Sequence, residues 1–177
     1  MKKKLSKAER RELASNVVRH RISQSRAEYI KKNFFEWSFN KQDDFIPNKS
    51  KFELLNHPAE LHYLVNIYNW DDGISILEWV LESPFCSKAT TNLLFWRSAP
   101  DYYLKYCLEN LSDCPDYDRE VLILIKKCIE KHNNNNFSKI DISYDPKYDA
   151  EEITTINKQW EIPKFFYEKS NGISIAN

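Results

Sequence analysis

The sequence predicts an all-α protein: a compact multi-helix bundle of short antiparallel helices, solenoid-like in its spacing. Three observations predict it. The chain holds two glycines in 177 residues, against a usual share of roughly 7%, and β-rich folds draw on glycine for their turns. Apolar residues recur at helical spacing, as in Leu61, Leu64, Val65 and Tyr68 at i, i+3, i+4 and i+7. Start signals then repeat near residues 58, 73, 87, 100 and 117, so the joints are short and each helix must pack on its sequence neighbour.

Taken in order, residues 6–20 read as a helix with a loose apolar stripe. A second helix runs from Ser25 to near Trp37 and carries Ala27, Tyr29, Ile30, Phe34 and Phe35. Residues 38–50 hold Pro47 and several turn formers and read as a linker. Asn56-His57-Pro58-Ala59-Glu60 offers a cap, a proline at the first turn and a glutamate that complements the helix N-terminus. Asp71-Asp72-Gly73 breaks that helix, and Ile74, Ile76, Leu77, Trp79, Val80 and Leu81 form the next stripe. Ser83-Pro84 interrupts again, and Ser87 caps a helix through Leu93, Leu94, Phe95 and Trp96. Pro100 starts one carrying Tyr102, Tyr103, Leu104 and Tyr106, and a longer helix follows Pro115 with Val121, Leu122, Leu124, Ile125, Cys128 and Ile129. Residues 139–144 alternate with period two and read as a short extended segment with no evident partner strand. The acidic stretch 145–158 is helical or irregular, and an aromatic tail, Trp160 through Phe165-Phe166-Tyr167, packs back on the body, because so much apolar surface is costly to leave in water.

The charge is zero overall but unevenly placed. Residues 1–32 carry eleven Lys or Arg against three Glu, a balance of +8, and the remainder carries 15 basic against 23 acidic residues, or −8. Two parts follow: a basic helical N-terminal arm and linker over 1–50, and a helical domain over 51–177. The arm could meet nucleic acid, an anionic membrane or an acidic protein. No apolar run approaches the roughly 20 residues of a membrane span, and no apolar h-region follows the basic start. The cysteines, Cys86, Cys107, Cys114 and Cys128, form no C-x-x-C pair; they read as reduced core thiols of a cytoplasmic protein.

Chemistry-bearing residues concentrate between Tyr68 and Arg97. Asp71 and Asp72, with Glu78, are candidate carboxylates for a metal-assisted site, although adjacent residues point apart on a helix; the plainer reading makes one a helix cap. Trp70, Trp79 and Trp96 read either as core or as an aromatic cradle. Arg97 is placed to stack on Trp96 or to pair with Asp71 or Asp72 across a hairpin. His20, His57, His62 and His132 show no metal spacing, phosphate-binding glycine loops are excluded by composition, and nothing brings a histidine to Cys86 as a nucleophile's base.

His62, the block Tyr68-Asn69-Trp70-Asp71-Asp72-Gly73, Leu77, Trp79, Pro84-x-Cys86, Ala89-Thr90, Phe95-Trp96-Arg97 and Ile162-Pro163 resemble a bacterial family, domain-of-unknown-function family 4274, over roughly residues 55–172. The family usually has Asp where this chain has Ser87. The resemblance implies a small cytosolic helical protein, some members accompanying toxin loci as immunity proteins do; it implies no catalytic residues and no cofactor.

The leading expectation is therefore a non-enzymatic protein-binding module, an immunity protein whose acidic face with exposed aromatics covers a basic toxin domain through Trp70, Asp71, Asp72 and Arg97. Two alternatives stand beside it: a metal-assisted enzyme at Asp71, Asp72 and Glu78, and a nucleic-acid adaptor working through residues 1–32.

Overall fold

In the computed structural model, residues 22–35, 47–150 and 152–174 are described. The helix expected over 6–20 and most of the linker lie outside them. Seven α-helices, four short 3₁₀ turns and a two-stranded parallel pair make up the regular elements among the described residues. The fold is the expected all-α bundle. Helix α1 spans Gln24–Phe34, α2 Lys49–Phe52, α3 Pro58–Ile67, α4 Ser75–Glu82, α5 Lys88–Arg97, α6 Pro100–Tyr103 and α7 Asp116–Asn133. From α3 on, the starts fall within two residues of those read from the punctuation.

Local chemistry explains the boundaries. Ser23 caps α1 through Arg26 N–H, and Ser87 caps α5 through Thr90 N–H. At α3 the cap is His57 rather than Asn56: its Nδ1 accepts from Ala59 N–H at 3.2 Å, and Glu60 reaches back to the His57 N–H. Glu60 also accepts from Asn56 N–H and from the Arg26 guanidinium. A carboxylate only 4% exposed thus ties α1 to α3. Ala99 sits at φ 52 between α5 and α6, a left-handed conformation costly for a residue with a Cβ, and Pro100 then opens α6. That helix is a single turn, so Tyr106 lies beyond it. Asn135, at φ 46, takes the left-handed position after α7 that asparagine tolerates.

Helix α5 is the centre. Every residue from Ala89 to Trp96 is buried, so between its ends the helix has no solvent-exposed face. It packs against α3 on one side and α7 on the other, with α1 on α3 and α4 on α7. The stripes of α3 and α4 are in the core as expected, and Trp79 is half-buried.

The aromatic tail packs back on the bundle. Phe166 stacks on Phe95 with centroids 3.6 Å apart, and Trp96 Nε1–H donates to Phe166 O at 2.9 Å. Trp160 Nε1–H donates to Tyr103 O at 3.3 Å. Strand β1, Ile142–Ser143, pairs in parallel with β2, Ile173–Ser174, which supplies the partner the alternating segment lacked. Gly172 permits it: a Cβ there would stand 2.2 Å from Asp141 O. Among its described residues the stretch 145–158 is irregular apart from one 3₁₀ turn, Pro146–Tyr148, so the described residues of 134–174 form a strap over α5.

Candidate functional site

Tyr68–Gly73 is a self-braced turn. Asn69 Oδ1 accepts from Asp71 N–H at 3.3 Å, capping a 3₁₀ turn over Trp70–Asp72, while Asn69 Nδ2–H donates to Asp72 Oδ1 at 3.2 Å. Gly73 takes φ 79, which favours glycine. The Tyr68 hydroxyl donates to Gly73 O at 3.0 Å; burial first, and then the Asp72 charge, push it well above its ordinary pKa. Asp71 is exposed, and Trp70 and Asp72 are half-buried. The expectation that one aspartate caps the next helix fails. Helix α4 begins at Ser75, and its N-cap residue Ile74 supplies no side-chain cap, because both carboxylates belong to the preceding 3₁₀ turn.

Arg97 pairs elsewhere than expected. Its Nε–H donates to Asp149 at 2.6 Å and its Nη2–H to Asn66 at 3.4 Å. Asp149 belongs to the strap, and a sequence reading had no means of bringing it to α5. Between α3, α5 and the strap lies a cleft of about 480 Å³. His62 and Tyr144 line it, their rings edge-on at 5.9 Å, with His62 Nδ1 3.2 Å from Thr90 Oγ1. Arg97, Lys147, Lys169, Asp145 and Asp149 complete its charged rim.

The other candidates disperse. Glu78 faces α7, where Lys127 Nζ lies 2.8 Å away and is held protonated by it. Among the described residues no group of three His, Cys, Asp or Glu stands close enough to hold a metal ion, so Asp71, Asp72 and Glu78 do not converge. Trp79 packs on Phe52 with Lys49 over its ring at 4.6 Å, and Trp96 packs on Phe95 and Tyr167; the tryptophans have separate partners. Cys86 is fully buried, its Sγ 3.4 Å from Thr91 Oγ1, and burial pushes its thiol up. All four cysteines are free thiols, three of them buried.

One surface escaped the sequence reading. Residues 101–120, around α6 and the start of α7, expose Tyr102 and Tyr117, the latter 79% exposed. Glu109, Asp113, Asp116 and Glu120 are exposed around them. Beneath, buried Asp118 accepts from Tyr102 at 2.9 Å and Tyr103 at 3.4 Å. The dense Tyr and acid spacing was the available signal, but nothing in it distinguished a rim from a core.

A helical bundle built on a central helix buried from Ala89 to Trp96 and closed by an aromatic strap is the class of protein these observations define. Within it, residues 56–132 match the family model DUF4274, a domain of unknown function. The match runs from the cap of α3 almost to the end of α7. Ile162-Pro163, counted into the resemblance, lies beyond it, as does the strap. No curated protein and no solved structure matches the chain. Among the described residues no helix is long and apolar enough to cross a membrane.

Proposed function

We propose that the protein is a non-enzymatic protein-binding module of the cytoplasm whose partner is a basic protein domain, as a toxin-neutralising immunity protein would require. One observation carries this reading: the rim over 101–120 exposes tyrosines among carboxylates that outnumber its cations, six against Lys105 and Arg119, although Asp116 pairs with Arg119 and Glu109 with Lys126. Tyrosine supplies large contact area at little entropic cost, and complementary charge speeds association. The Tyr68–Gly73 turn offers a second contact, in which Asp71 presents its exposed carboxylate beside half-buried Trp70 and Asp72 and Asn69 braces the turn. Arg97 contributes by fixing the strap.

The test is capture of partners from the native host on the tagged full chain, followed by reconstitution with the purified partner. A single stoichiometric basic protein is expected. Asp116→Ala with Tyr117→Ala should weaken its binding by about tenfold or more, and Asp71→Asn with Asp72→Asn by less. Recovery of nothing specific on a folded bait, or a double rim variant that binds as tightly as the parent, overturns the reading.

A further inference from the structure

The cleft between α3, α5 and the strap has a charge distribution that the proposed protein-binding rim does not use. Three cations reach it from separate parts of the chain: Arg97 at the end of α5, Lys147 in the 3₁₀ turn after β1, and Lys169 just before β2. Two carboxylates meet them. Asp149 takes Arg97 at 2.6 Å, whereas Asp145 takes both Lys147 at 3.3 Å and Lys169 at 3.5 Å. Two ammonium groups on one carboxylate leave the lining with a positive charge in excess.

The floor points the same way. His62 and Tyr144 are 6% and 8% exposed, and both line the cleft. The Tyr144 hydroxyl is buried beside the Asp149 carboxylate, which it contacts only loosely and which Arg97 already engages. Buried hydroxyls ordinarily have a well-formed partner, and an acceptor oxygen entering the cleft would compete with Asp149 for this O–H. A volume of about 480 Å³ falls within the usual range of small-molecule sites and exceeds what a bare oxyanion fills.

We propose that this cleft binds a small ligand through an anionic oxygen group, phosphate or carboxylate, with Lys147, Lys169 and Arg97 as the cations and Tyr144 as the buried donor. Ammonium and guanidinium groups form their strongest hydrogen bonds to such anions. The site joins the part of the chain that matches DUF4274, through His62 and Arg97, to the strap outside the match. It stands apart from the acidic rim, and substitutions at one leave the other intact.

The experiment is thermal unfolding of the full chain in inorganic phosphate and, in a second arm, in malonate, each against sodium chloride of equal ionic strength. A saturable rise in Tm of about 2–4 °C beyond chloride in one arm is expected, and the arm that gives it names the anion class. Lys147→Gln with Lys169→Gln keeps the Arg97–Asp149 pair and should abolish the gain. Tyr144→Phe, which keeps the ring, should weaken anion affinity several-fold and serves if the double variant does not fold. No gain beyond chloride in either arm, or a gain that survives in both variants, overturns the proposal.

Discussion

Lowering the pH should loosen the strap through His132. Near the end of α7 this ring stacks on Phe165 at 4.2 Å, meets Phe137 and Phe166 edge-on, and donates from Nε2 to Asn92 Oδ1 at 2.6 Å. Burial, and secondarily the charge of Lys88, hold its pKa down to about 4 from an ordinary 6.5, while Glu168 opposes them weakly. The unfolded chain therefore takes a proton near pH 6.5 and the folded chain only near pH 4. Stability is full above pH 6.5, falls as the pH drops through that interval, and levels below it. Each pH unit is worth about 1.36 kcal/mol, or about 3.4 kcal/mol over the whole interval. The ring is partly open to solvent, and screening reduces the effect to roughly 1–2 kcal/mol. Urea denaturation of the parent and of His132→Gln at pH 7, 6 and 5 reads it, in a range where carboxylates stay largely ionised. The parent should lose about 1 kcal/mol relative to the variant between pH 7 and 5. Parallel stability profiles would overturn this account, since the folded ring would then take its proton as readily as the unfolded one.

Glu60→Ala should destabilise the fold by about 2–4 kcal/mol in denaturant unfolding, because it leaves two backbone N–H groups and a guanidinium without their acceptor. Trp96→Phe removes the bond to Phe166 O and leaves part of the indole's buried volume unfilled, at a combined cost of about 2–4 kcal/mol; proteolysis within the strap should quicken in step. Gly172→Ala should cost about 2 kcal/mol or more by prising β1 from β2, whereas Gly73→Ala, with nothing within 4 Å of the added Cβ, should cost about 1–3 kcal/mol from its backbone conformation alone, φ 79 and ψ −175.

The sequence determined what local chemistry can determine. Helix starts were legible because Pro58, Ser87, Pro100 and Pro115 act on backbone groups within a turn of themselves. The core stripes of α3, α4 and α7 were legible because periodicity encodes a face. The packing of Phe165 and Phe166 onto the bundle was legible because exposed aromatics carry a cost wherever they stand. Tertiary structure decided which distant residues meet. Arg97 could be assigned a carboxylate but not the right one, since Asp149 lies 52 residues away. The alternating segment at 139–144 gave no sign of a parallel partner at 173–174, and the cleft exists only because that pairing lays the strap across α5. Capping and periodicity act over a few residues, so one chain can state them; pairings across the strap depend on how several helices pack at once, and no single segment carries that information.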